Sequence, residues 1–279
     1  MAEITAAAVK SLRDRTGLPM MDCKRALEEA GGDADAAVEI LRKAGKKTMA
    51  KRADRETSFG RIMVHAEMDP GCGAMVELRC ESAPVANNDQ FIQLGRDLAL
   101  QLARGPGAAS AEELLNQASP GQPGLTLRDQ WDDLTNRIRE VFRIARLVRV
   151  EGPCGGYAHH SGTSGVLLEV QGGTAELAKD IAMHIAAMRP MVIRREELDP
   201  DLVAKEREIL AEQARQEGKP EKIIAKMIEG RLRDFYVERC LADQPHVNKE
   251  KYGNQTVGQL AEKAGMKLVR FIHWELGKE

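Results

Sequence analysis

Residues 60–80 read GRIMVHAEMDPGCGAMVELRC. Gly60–Ala66 and Ala74–Cys80 are rich in aliphatic residues, and Asp69-Pro70-Gly71 between them is turn chemistry, so the stretch is predicted to be a β-hairpin. Phe91, Leu94, Leu98 and Leu102 follow at helical spacing on one face. The layout then recurs. Gly156-Tyr-Ala-His-His160 and Gly165-Val-Leu-Leu-Glu-Val170 flank a turn at Ser161-Gly162, and Leu177, Ile181, Ile185 and Met188 mark a second helix. The two helices match closely, Asp97-Leu-Ala-Leu-Gln-Leu-Ala103 against Asp180-Ile-Ala-Met-His-Ile-Ala186. This internal repeat predicts two related subdomains, each with a small antiparallel sheet covered by helix on one face.

Upstream of the repeat, Val9 and Leu12, then Cys23, Leu27 and Ala30, then Ala37, Val38 and Leu41 mark three short helices. Gly17 and Gly31-Gly32 end the first two, and Asp33 can cap the third. A basic run follows, with Arg42, Lys43, Lys46, Lys47, Lys51, Arg52 and Arg55; it reads as a solvated helix end and linker. Residues 105–124 are rich in Gly, Pro, Ala and Ser and read as a connection with one short helix at 111–117. Residues 128–138 are expected to be helical and 144–150 a strand. In the second repeat, Leu202, Val203, Ile209 and Leu210 mark one helix, and Ile224, Ile228, Leu232 and Phe235 another. The turn Glu217-Gly-Lys-Pro220 joins them, giving a helical hairpin with a narrow apolar seam. A helix at 257–264 and a strand at 267–275 close the chain. The predicted fold class is α+β.

Composition narrows the function. The 279 residues carry 41 Lys and Arg against 43 Asp and Glu, a formal charge of −2, so nucleic-acid binding would need a local basic patch. Aromatic residues make up 4%, too few for a base-stacking platform. No stretch approaches the roughly 18–20 apolar residues that span a bilayer. The start, MAEITAAAVKSLRDR, has no apolar export core, and five scattered cysteines without CxxC suit a reducing cytosol, so a cytoplasmic location is expected. The six histidines form no HExxH and no zinc-finger spacing with the cysteines. Cys72 and Cys80 sit at opposite ends of a strand segment. His159 and His160, adjacent on a strand, should face opposite sides. His184 is expected to be a hydrogen-bonded core histidine. No GxSxG, phosphate-binding loop or GxGxxG occurs. No catalytic residue, metal or cofactor is expected.

The segment Leu12-Arg-Asp-Arg-Thr-Gly-Leu-Pro-Met-Met-Asp-Cys-Lys-Arg-Ala-Leu27 resembles the signature of the elongation factor Ts family, the guanine-nucleotide exchange factors of bacterial translation. Gly32-Asp-x-x-x-Ala37, Leu41-Arg-Lys-x-Gly45, Tyr157-Ala-His159, Gly165-Val-Leu, His184-Ile-Ala-Ala187 and Val257-Gly-Gln-Leu260 follow in the family's order. The resemblance therefore covers nearly the whole chain. It implies a ubiquitin-associated-like three-helix domain at 1–45, a basic linker at 46–58 and a core subdomain at 59–143. A second core subdomain at 144–279 would carry the helical hairpin at about 198–242. It also implies a partner, elongation factor Tu, nucleotide-free and GDP-bound, with no membrane and no direct nucleic-acid contact; a homodimer is left open.

By this resemblance Arg13, Met20, Met21 and His159 are partner-binding residues. Adjacent methionines cannot both enter a small bundle's core, and an exposed thioether suits an adaptable interface. The family's Mg²⁺-dislocating loop, Cys-x-Thr-Asp-Phe-Val, corresponds to Cys80-Glu-Ser-Ala-Pro-Val85, so Ser82, Ala83, Pro84 and Val85 are the candidate exchange loop. Ala83 and Pro84 replace the Asp and the Phe, removing a carboxylate and an aromatic wedge, and Thr163-Ser164 replaces an Arg-Ile. Some relatives continue beyond the position of Glu279 into a helix that grips the partner, a contact expected to be missing here. Two alternatives stand beside exchange: a Tu-binding scaffold with weakened exchange, and an RNA-binding protein using residues 42–55.

Overall fold

The computed structural model describes residues 4–217 and 220–278. Three helices open it: α1 (Ala6–Thr16), α2 (Met20–Glu29) and α3 (Ala34–Ala50). Thr5 and Asp33 cap α1 and α3 through their side-chain oxygens, and Gly17 ends α1 in the left-handed region at φ +68°. Val9, Leu12, Leu18, Cys23, Ala26, Leu27, Ala37 and Leu41 form their common core. The third helix does not stop at Gly45. It runs on to Ala50 because no strong breaker intervenes and because its far end packs on a helix of the core. A Cβ on Gly45 would lie 2.2 Å from Asn136 Oδ1, and Lys46 pairs with Asp132 at 2.9 Å. Gly45 therefore marks a close approach, and the first part of the expected linker is helical. The basic run is partly committed inward, since Arg55 also pairs with Glu81.

The hairpin of residues 60–80 is β1 (Phe59–Glu67) and β2 (Cys72–Cys80), paired from Phe59↔Cys80 to Glu67↔Cys72. After β2 come a single helical turn, α4 (Ala83–Ala86), the long α5 (Asp89–Arg104), short α6 (Ala111–Leu115) and α7 (Leu127–Ile138). Strand β3 (Arg143–Glu151) then returns to the free edge of β2, giving the order β1-β2-β3. The expected division at 143/144 would place this strand in the second half of the chain. Its hydrogen bonds place it in the first sheet instead, because β2 is buried along nearly its whole length and needs partners on both edges.

The second sheet repeats the plan. It contains β4 (Cys154–Ala158), β5 (Ser164–Gln171) and β6 (Lys267–Glu275) in the order β4-β5-β6. Between β5 and β6 lie α8 (Ala175–Met188), the hairpin helices α9 (Pro200–Gln216) and α10 (Glu221–Arg239), then α11 (Lys249–Tyr252) and α12 (Val257–Lys263). Leu210, Leu232 and Phe235 form the hairpin's seam; Gly218 and Lys219 of its expected turn lie outside the described residues.

The repeat is longer than hairpin plus helix. Gly73-Ala-Met-Val-Glu77 on β2 matches Gly165-Val-Leu-Leu-Glu169 on β5, and Arg146-Leu-Val-Arg-Val-Glu151 on β3 matches Arg270-Phe-Ile-His-Trp-Glu275 on β6. Each central strand shifts register just after its glutamate, and each glutamate pairs across to the matching arginine: Glu77 to Arg146 at 2.6 Å, Glu169 to Arg270 at 2.7 Å.

One face of each sheet is covered by its helix. Phe91, Leu94, Leu98 and Leu102 of α5 are fully buried on the first, and Leu177, Ile181 and Ile185 of α8 cover the second. The other faces meet each other, with Ile62, Met75 and Val150 against Cys154 and Leu167. A Cβ on Gly165 would lie 2.5 Å from Ile62 Cγ2, so a bare backbone lets the two sheets close at that point.

Candidate functional site

β2 ends at Cys80, whose thiol donates to the Ser82 carbonyl at 3.3 Å and is pushed up to about 11 by burial. The next two residues are clamped from the segment after α7. Glu81 accepts from the Val141 amide at 2.7 Å and pairs with Arg55 at 2.9 Å. Ser82 donates through its amide to Glu140 Oε2 at 3.1 Å and through its hydroxyl to Glu140 Oε1 at 2.6 Å. The chain then winds through α4, with Pro84 in its first turn, where the missing N–H has no helical partner to lose. Val85 packs against the first sheet's core, whereas Ala83 and Pro84 are exposed. Of the four loop residues, Ser82 and Val85 are thus anchors, and Ala83 with Pro84 forms the projecting corner.

His159 does not lie on a strand. β4 ends at Ala158, and residues 159–163 form the β4–β5 turn, closed by the His159 amide on the Ser164 carbonyl at 2.9 Å. In that turn the rings of His159 and His160 lie 4.1 Å apart, so the expectation that they face opposite sides fails. Alternation holds only in extended backbone, and this segment has left it. His159 Nδ1 lies 2.6 Å from Ser161 Oγ, which is 2.7 Å from Thr163 Oγ1. The imidazole lines a surface pocket of about 520 Å³ with Tyr157, Met183, Arg189 and Lys278.

Arg61 joins the two places. Its guanidinium donates to Asn87 Oδ1 just beyond α4 at 3.2 Å, and to the carbonyls of Ser161 and His160 at 3.3 and 2.6 Å. The Ala83-Pro84 corner and the His159 turn are therefore braced together at one end of the paired sheets.

Arg13, Met20 and Met21 sit on the three-helix unit and touch neither. Arg13 is exposed on α1, and at the start of α2 Met20 and Met21 are 41% and 62% exposed, so both thioethers face outward. Besides the packing of α3 on α7, the unit reaches the core through Asp22, which pairs with Arg139 as well as with Arg25 of its own helix. Burial works to raise the Asp22 pKa, but the two guanidiniums outweigh it and hold the carboxyl below its usual range. Arg139 and Glu140 are neighbours in sequence, so one short segment holds α2 on one side and Ser82 on the other. Arg61, Arg139 and Glu140 are invisible to motif reading, because their partners lie 26 to 117 residues away.

His184 is fully buried, as expected, with its ring held by Gln244 and the Val247 amide. Among the described residues no helix is long and apolar enough to cross a membrane.

A family model described as Elongation factor TS matches residues 81–278. The chain is 41% identical over 277 residues to Elongation factor Ts of Methylococcus capsulatus, covering 99% of this chain and 92% of that protein. It is 39% identical to those of Thioalkalivibrio sulfidiphilus, over 99% of this chain and 92% of the relative, and of Saccharopolyspora erythraea, over 100% of both.

Proposed function

The chain belongs to the elongation factor Ts family, and from that premise we propose that it binds elongation factor Tu and promotes release of its GDP so that GTP can load. A factor that binds the nucleotide-free GTPase better than the loaded one weakens the nucleotide by the same factor, through linkage and without bond-making chemistry. The exposed pair Met20-Met21 supplies an adaptable apolar contact on the three-helix unit. Ala83 and Pro84 supply the element that disturbs the Mg²⁺ and phosphate site, with His159 as a further contact.

The observation that carries this reading is the clamp on the corner. Glu140 holds Ser82 at two points and Val85 is packed inward, so a small apolar tip is presented on a fixed base. Pro84 then acts as a compact wedge whose backbone freedom is already spent. It covers less of a partner than an aromatic ring would.

Elongation factor Tu loaded with labelled GDP is the test. Adding the chain speeds loss of label, and the Ala83→Asp/Pro84→Phe variant speeds it by about a further tenfold, about 1.4 kcal/mol of recovered anchor contact. A complex that forms while the GDP off-rate stays unchanged would leave a binding scaffold only. No complex with the nucleotide-free GTPase overturns the proposal.

A further inference from the structure

At the other end of the first hairpin, roughly 26 Å along β2 from Cys80 at about 3.3 Å per strand residue, three side chains converge that no local sequence pattern connects. His65 and Glu67 are two apart on β1 and share a face, and Cys72 on β2 stands directly opposite Glu67 in the antiparallel register. His65 Nε2 lies 2.6 Å from Glu67 Oε1, and Cys72 Sγ lies 3.9 Å from Glu67 Oε2. One ligand atom from each residue lies within 4.8 Å of the other two. The group sits on the helix-covered face at the end of the sheet, with Cys72 buried and the side chains of His65 and Glu67 only partly exposed.

We propose that His65, Glu67 and Cys72 form a binding site for a divalent ion of the zinc class. The donor set decides the ion. One imidazole nitrogen, one carboxylate oxygen and one sulfur suit Zn²⁺ or Co²⁺, whereas Mg²⁺ and Ca²⁺ take oxygen almost exclusively. Tetrahedral bonds of about 2.0–2.3 Å place neighbouring ligand atoms roughly 3.3–3.8 Å apart, so side-chain shifts of about an ångström complete the triad. Three protein ligands leave a fourth position for water. On binding, the Cys72 thiol gives up its proton to solvent, and His65 coordinates as a neutral imidazole through Nε2 with its ring proton on Nδ1.

Arg104 at the end of α5 competes for the site. Its guanidinium pairs with Glu67 Oε1 at 2.5 Å, the same oxygen that His65 meets. Glu67 Oε2, facing the thiol, is the oxygen left for a metal. Arg104 therefore tunes affinity downward by like-charge repulsion, and removing it has the opposite effect to removing a ligand.

The test is a Co²⁺ titration of the full chain with a phosphine reductant, followed by absorption. One equivalent binds, with a thiolate-to-cobalt charge-transfer band in the near ultraviolet that Zn²⁺ abolishes. Cys72→Ser eliminates the band, Cys80→Ser keeps it, and His65→Ala weakens Co²⁺ by tenfold or more. Arg104→Gln tightens it by about tenfold, a gain that a misfolded variant does not produce. The site is disproved if the wild type shows no band, if the band survives Cys72→Ser, or if Arg104→Gln weakens binding.

Discussion

Replacing Glu77 with alanine is expected to lower the unfolding free energy by about 3 kcal/mol, at the lower end of what breaking a buried ion pair costs. The carboxylate is fully buried in the central strand β2. Arg79 donates to Oε1 and Arg146 to Oε2, each at 2.6 Å, and the Gly277 amide adds a third donor at 3.1 Å. Arg146 in turn donates to the Glu275 carbonyl and lies 4.5 Å over the Trp274 ring. Glu77 thus fastens the first sheet to the closing strand of the second. Without it two guanidiniums, each about a quarter exposed, lose their counter-charge, and partial solvent access keeps the loss near the lower limit. The repeat supplies the control. Glu169 holds the matching position but is only partly buried, and its partner Arg270 is mostly exposed, so Glu169→Ala should cost at most about 1 kcal/mol. Urea midpoints at unchanged slope measure both. Equal losses at the two sites would show that burial between the sheets is not what gives Glu77 its weight.

Acid is expected to remove a further share of stability through His184. Its Nδ1 accepts from the Val247 amide at 3.0 Å, which leaves the proton on Nε2 to donate to Gln244 Oε1 at 2.9 Å. A second proton has no acceptor without breaking the first contact. Burial, aided by the stacked His246 ring and opposed by Gln244, brings the His184 pKa down to about 4. The folded-state value lies below the ordinary 6.5, so the unfolded chain takes up the proton first. The stabilisation is complete above pH 6.5 and is lost as pH falls towards 4, where the loss amounts to about 3 kcal/mol. Asp180 acts in the same direction. Burial works to raise its pKa, but Lys251 and Tyr252 outweigh that and keep its carboxyl below the usual range. Stability curves from pH 7 to 4 should therefore be flatter in His184→Gln than in the wild type. Parallel curves would remove His184 from the explanation.

Local periodicity carried most of the architecture. Helix faces such as Phe91, Leu94, Leu98 and Leu102, and the hairpins with their turn residues, were legible because they depend on neighbours a few positions away. Pairing across long separations was not. Nothing near residue 144 says that β3 belongs beside β2, and only after that pairing is known does the match of Arg146-Leu-Val to Arg270-Phe-Ile acquire meaning. The sequence pattern places the start of β4 at Gly156, two residues late, because Gly155 answers to tertiary packing. A Cβ there would lie 2.5 Å from the Ala178 carbonyl of α8, a constraint with no local signature. Likewise the projecting corner was placed by resemblance, but the clamp of Glu140 and the brace of Arg61 emerged only from the folded chain. His65, Glu67 and Cys72 have no finger-like spacing in the sequence; the hairpin register alone sets the thiol opposite the carboxylate.

The Arg61 brace has a mechanical consequence. One guanidinium grips Asn87 behind α4 and two carbonyls of the β4–β5 turn, so neither protrusion can swing without dragging the other. A large molecule landing on this end meets a single stiff prow, and little torsional freedom remains to be frozen at the moment of landing.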